Sequence, residues 1–153
     1  MQESQPYDSR QDTQQHIALV SARLACFADW LMERALRHDA SKLQSPEKEA
    51  YDLLTPRLKD LTYGSEGYRA TLREMKPAIT HHYASNSHHP EHYENGVRGM
   101  DLLDLVEMFC DWKAASLRHK NGDFRASLKI NQERFGFSDD LLAIFENSLP
   151  LVE

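Results

Sequence analysis

Residues 100–120 read Met100-Asp101-Leu102-Leu103-Asp104-Leu105-Val106-Glu107-Met108-Phe109-Cys110-Asp111-Trp112-Lys113-Ala114-Ala115-Ser116-Leu117-Arg118-His119-Lys120, closed by Asn121-Gly122. At about 100° per residue on an α-helix, Asp104, Glu107 and Asp111 fall within a stripe about 60° wide. Leu102, Leu103, Leu105, Val106, Met108, Phe109, Cys110 and Trp112 fill most of the remaining circumference. A helix apolar nearly all round is predicted to be central and buried. Three carboxylates on one line of such a helix are costly unless paired or turned towards a cation. The competing reading is that the stripe is a thin edge facing water.

Working outward, the same helical period recurs along the chain. Ile17, Val20, Leu24, Phe27, Leu31 and Leu36 predict a long amphipathic helix from Thr13 to about Arg37, with His16 in its first turn. Ser45-Pro46-Glu47 is a helix start, with Ser as N-cap and Pro at the first helical position, and that helix is expected to end before Pro56. Tyr63-Gly64-Ser65 opens a helix to roughly Tyr83, with a break expected near Lys76 because Pro77 follows. Residues 84–99 hold Asn, Ser, Pro and Gly without a helical period and read as a loop. Phe124 to Phe135 and Leu141 to Leu149 are two further helices, separated by Gly136 and capped by Ser138. No stretch alternates with period two. The expectation is an all-α, single-domain helical bundle over residues 13–150, preceded by a flexible polar arm over residues 1–12.

Composition bounds the function. The chain has 153 residues, 41% hydrophobic and 27% charged, which is ordinary globular usage. Its net charge of −6 makes it a poor candidate for sequence-independent binding to duplex nucleic acid, which needs a basic face. A small anionic substrate held by a few placed cations is compatible with it. Cys26 and Cys110 show no C-x-x-C spacing and sit in apolar helical patterns, so they read as buried thiols of a reducing compartment. The N-terminal stretch has no apolar core of a signal peptide, and no apolar run approaches the ~20 residues of a membrane span. The expected location is cytoplasmic, with no membrane partner; a homo-oligomer is left open.

Histidine is the compositional signal. There are eight, five of them between His81 and His92. Along the chain come His16, then His38-Asp39, then the cluster His81-His82-Tyr83-Ala84-Ser85-Asn86-Ser87-His88-His89-Pro90-Glu91-His92, then the carboxylates of the late helix. Imidazole and carboxylate together are the ligand set of Mn, Fe, Co, Ni or Zn, whereas all-oxygen sites suit Mg and Ca.

This ordered set, H…HD…H…HH…D on helices, resembles the HD-domain superfamily of metal-dependent phosphohydrolases. The form His38-Asp39-Ala40-Ser41-Lys42 is similar to that of its cyclic-dinucleotide phosphodiesterase and inositol-oxygenase branches. HDASK, HYASNSHHPEHY and DLVEMFCDWKAA also look like a group of small phage and bacterial HD-like proteins. The resemblance covers roughly residues 14–120.

It implies a primary metal site of His16, His38, Asp39 and Asp111, with Asp104 as the alternative to Asp111. It further implies that His82, His88 and His89 hold a second ion bridged through Asp39. One or two divalent transition-metal ions would activate water for attack on a small phosphate ester, most plausibly a nucleotide or cyclic nucleotide. Asp39, Lys42 and Glu107 are the expected catalytic residues. Lys42 neutralises a phosphoryl oxygen as a point charge, and Glu107 acts either as partner to a ligand histidine or as general base. Arg37, Arg98 and Lys113 are candidate anion contacts, and Asn86 either binds substrate or braces the histidine loop. The alternatives are a di-iron oxygenase on the same scaffold and a non-catalytic helical binding module in which the metal is structural or the site has decayed.

Overall fold

A computed structural model describes residues 7–61, 65–118 and 122–152. Among them lie six α-helices: α1 (Arg10–Arg37), α2 (Glu47–Lys59), α3 (Glu66–Ser85), α4 (Leu102–Ser116), α5 (Phe124–Phe135) and α6 (Asp139–Asn147). Four 3-10 turns join or follow them, at Ala40–Leu43, Pro90–His92, Gly96–Gly99 and Leu149–Leu151, and no strand occurs among the described residues. The all-α expectation holds. No described helix is long and apolar enough to cross a membrane. The chain divides into two units, Met1–Leu36 and Arg37–Glu153.

The first unit carries α1, which begins at Arg10, so the expected arm is shorter than residues 1–12. Residues 1–6 of that arm lie outside the described residues. None of the residues of α1 is buried: Ile17, Leu24 and Trp30 are exposed, and Phe27 and Leu31 half-buried. Cys26 is accordingly an exposed free thiol, not a buried one.

In the second unit the helix starts follow from short polar caps. Ser65 Oγ accepts from the Tyr68 N–H, Asp123 Oδ1 from Ala126 and Ser138 Oγ from Leu141. Asp101 and Asp104 form a reciprocal capping box at the start of α4. Gly136 closes α5 at φ 64°, a left-handed conformation that glycine adopts without penalty. Two helix ends depart from expectation. Pro46, not Ser45, stands at the N-cap of α2, and the helix runs through Pro56 to Lys59. Proline costs one backbone bond, to the carbonyl four residues earlier, and Asp52 there is exposed to water. α3 likewise continues through Pro77 instead of breaking at Lys76. α4 ends at Ser116, short of the expected closure at Asn121-Gly122; His119, Asn121 and the Tyr63-Gly64 pair lie outside the described residues.

Two apolar groups hold the unit together. α2 packs on α3 through Leu54, Met75 and Ala78. The larger core joins α4, α5 and α6 through Met108, Phe109, Phe124, Leu128, Phe137, Phe145 and Leu149. Phe109 stacks on Phe145 with ring centroids 5.2 Å apart, and Trp112 on Phe135 at 5.9 Å. α4 is not apolar-buried all round as its pattern predicts. Met108 and Phe109 face the core, Asp104 is 1% exposed, and Leu102, Val106 and Cys110 form an exposed edge. Cys110 is therefore an exposed thiol too. The carboxylate stripe points inward, which removes the wet-edge reading.

Candidate metal centre

The centre is built where the chain leaves α1. Asp39 adopts a left-handed backbone, φ 56° and ψ 15°, just before the turn Ala40–Leu43. That region is sterically poor for residues with a Cβ, and aspartate is among the few that tolerate it. The bend turns two consecutive side chains to one place: His38 Nε2 lies 3.6 Å from Asp39 Oδ2. Lys42 Nζ, one turn on, donates to the same oxygen at 2.6 Å. Burial pushes the Asp39 carboxyl up, but His82 and the Lys42 ammonium outweigh it and hold it well below the usual carboxylate range.

Two further carboxylates grip the histidines from behind. Glu107 Oε1, on α4, lies 2.9 Å from His38 Nδ1 and 3.1 Å from His88 Nδ1. Glu47, the first residue of α2 and fully buried, places Oε1 2.8 Å from His81 Nδ1 and Oε2 2.9 Å from His82 Nδ1. A carboxylate only accepts, so these Nδ1 positions donate, and the opposite nitrogens of His38, His82 and His88 turn towards Asp39. His82 Nε2 lies 3.2 Å and His88 Nε2 3.6 Å from Asp39 Oδ1, and His82 Nε2 is 2.8 Å from His89 Nε2. Asp111 Oδ1 stands 3.7 Å from His38 Nε2.

Charge follows this geometry. Asp111 and Glu107 push His38 up to about 10 against the opposing effect of burial, so the imidazolium supplies positive charge among the carboxylates. Burial, reinforced by His88 and His82, depresses His89 to about 3, so its ring is neutral.

Asp39, His82, His88 and His89 thus offer four ligand atoms within 4.8 Å of one another. His38, His88 and Glu107 form a second such group, in which His38 Nδ1 and Glu107 Oε1 already share a hydrogen bond. The first group differs in two of its four atoms. Asp39 Oδ1 and His88 Nε2 are buried without any hydrogen-bond partner. Leaving one such atom unsatisfied costs about 1–3 kcal/mol, a cost that a cation held between the two would remove. Three imidazoles with one carboxylate fit a divalent transition metal.

The other sequence candidates separate. Asp104 accepts from Ser87 Oγ and Tyr93 OH, each at 2.6 Å, and from the Asp101 N–H. It anchors the histidine loop, and Asp111 is the α4 aspartate beside the inward nitrogens. Asn86 Nδ2 donates to Ser41 Oγ and to the His82 carbonyl, each at 2.8 Å, so its amide hydrogens brace the loop. Lys113 Nζ lies over the Phe124 ring, and Arg37 and Arg98 are exposed. His16 stands exposed on α1 in the first unit; both ligand groups come from the second. Sequence reasoning missed Glu47, Ser41 and the role of His81. A first-turn carboxylate is ordinarily explained by its own helix dipole, so Glu47 gave no separate signal.

The model of a family of unknown function, DUF5662, matches residues 5–150. The chain belongs to that family. No curated protein and no solved structure matches significantly. The chemistry of this DUF5662 centre therefore rests on its own residues.

Proposed function

We propose that the chain is a metal-dependent phosphohydrolase acting on a small phosphate ester, with nucleotides or cyclic nucleotides as the substrate class. The observation that carries the metal half is the pair of unpartnered buried atoms, Asp39 Oδ1 and His88 Nε2, facing one place with His82 and His89. The phosphate half is supported by the resemblance of the H…HD…H…HH…D order to the HD-domain superfamily. His82, His88, His89 and Asp39 would hold an ion, with His38 and Asp111 beside them as the ligands of a second. When bound, such an ion supplies Lewis acidity, acidifying water and polarising a phosphoryl oxygen.

The chain's own residues do the rest. Glu107 orients His38 and His88 together, a positioning role that engages its Oε1. Lys42, about a third exposed at the edge of the centre, offers its ammonium to an incoming anion while it neutralises Asp39. A cytoplasmic setting belongs to this proposal, since exposed Cys26 and Cys110 remain free thiols in a reducing compartment.

The second reading, a di-iron oxygenase, is favoured by the His38-Asp39-Ala40-Ser41-Lys42 form and the imidazole-rich donor set. Elemental analysis of purified protein, followed by a nucleotide-panel screen with added Mn²⁺, tests the proposal. Phosphate release from colourless protein supports the hydrolase. A visible iron chromophore with no phosphate release supports the oxygenase, and metal-free, inactive, folded protein supports the binding module.

A further inference from the structure

We propose that Glu47 is a positioning residue that fixes the tautomer of His82, so that Nε2 is presented bare to the centre. Its purpose rests on the metal reading above; its geometry does not. Glu47 is fully buried at the first position of α2, where the helix N-terminus favours a carboxylate. Around His82 Nδ1 stand Glu47 Oε2 at 2.9 Å, Asn86 Nδ2 at 3.0 Å and Ser41 Oγ at 3.2 Å. Counting hydrogens decides which of these is the bond.

The two amide hydrogens of Asn86 are taken by Ser41 Oγ and the His82 carbonyl. The single hydroxyl hydrogen of Ser41 is directed to Glu47 Oε2 at 3.0 Å. No hydrogen from either neighbour is left for His82 Nδ1. Were that nitrogen bare, its lone pair would face a carboxylate oxygen 2.9 Å away, which is repulsive. His82 Nδ1 therefore carries the hydrogen and donates it to Glu47.

The consequence lies on the other side of the ring. A neutral His82 with hydrogen on Nδ1 has a bare Nε2, the form a metal requires. In the metal-free protein His82 Nε2 has His89 Nε2 at 2.8 Å and Asp39 Oδ1 at 3.2 Å for neighbours, and in the neutral ring it accepts from the nearer His89. The other Glu47 oxygen takes His81 Nδ1, so one carboxylate orders two adjacent histidines of α3. Glutamine at position 47 would keep the shape but offer an NH₂ where one of the two rings needs an acceptor.

The test is long-range ¹H–¹⁵N NMR of the histidine rings in chelated full-length protein at neutral pH, with Co²⁺ titration of the same samples. In the wild type, His82 is expected with hydrogen on Nδ1 alone. Hydrogen on Nε2, or on both nitrogens, overturns the inference. Glu47→Gln is expected to shift His82 towards the other tautomer and to weaken Co²⁺ binding about 10–100-fold, with an altered cobalt spectrum. An unchanged tautomer and affinity also overturn it. If Glu47→Gln fails to fold, the wild-type ring measurement decides alone. Should the wild type bind no Co²⁺ yet show the stated tautomer, the metal reading fails and the assignment of Glu47 stands.

Discussion

Asp104 and Asp111 lie on the same side of α4, yet they do different work, and substitution separates them. Asp104 is buried and accepts from Ser87, Tyr93 and the Asp101 backbone. Asp104→Asn puts an NH₂ against one of these donors and is expected to cost about 1–3 kcal/mol in urea unfolding. Asp111→Asn should lower metal content, because the carboxylate beside His38 Nε2 is lost, and cost stability only through its contact with the His38 imidazolium. Equal stability loss in both variants, with metal unchanged, would undo this division of roles. The residue types of the site were legible in the sequence, since His and Asp in that order have few other uses. The split between the two aspartates was not, because helical period places residues on a side without saying which neighbours meet them.

The histidine rings also predict a pH profile for the chelated protein. His89 sits at about 3 when folded, below its ordinary 6.5. The unfolded chain thus takes up its proton first, and this contribution is present above 6.5 and lost as pH falls towards 3. His38 at about 10 is raised, so its contribution is full below 6.5 and lost as pH rises through 10. Together these two rings give a maximum near 6.5. A bound metal displaces the His38 proton and removes the alkaline limb. The gap in melting temperature between loaded and chelated protein should widen from pH 6.5 to 9.5. Thermal melts at both pH values check it, and a constant gap would show that His38 is not coupled to the ion.

At the scale of elements, the histidine loop between α3 and α4 is tied down by side-chain hydrogen bonds. Tyr93 and Ser87 tie it to Asp104, Arg134 reaches Glu91 at 2.6 Å, and His92 Nδ1 bonds the Tyr83 carbonyl at 2.8 Å. Gly99 is required there, because a Cβ would come 2.8 Å from Tyr93 Cβ and 2.9 Å from its ring. Gly99→Ala is expected to cost about 1–3 kcal/mol through overpacking and to push the Tyr93 hydroxyl off Asp104. A chemical unfolding curve matching the wild type would contradict that. The sequence read this segment as a loop for its Asn, Pro and Gly, correctly. Its ties to α3, α4 and α5 are contacts that no local pattern encodes. Pro56 and Pro77 were read as helix breaks for the same local reason, and tertiary packing of α2 on α3 overrides both.

For the whole molecule, helical period and caps were enough to give an all-α chain, and the inward carboxylate stripe of α4 was enough to suggest a cation. What the sequence did not reveal was the role of Glu47, distant from the histidines along the chain and touching two of them in space. The account stands on one claim, that Asp39 Oδ1 and His88 Nε2 are unpartnered because an ion belongs between them. Co²⁺ titration of chelated wild type and His88→Ala, with circular dichroism on the same samples, tests it most directly. The account predicts stoichiometric binding with a d–d absorption band in the wild type. In His88→Ala it predicts affinity reduced on the order of 100-fold or more with helix content intact, as expected when a donor is removed from the first group of ligands. Wild-type protein that takes up no Co²⁺, or a folded His88→Ala that binds it as tightly as the wild type, would contradict it.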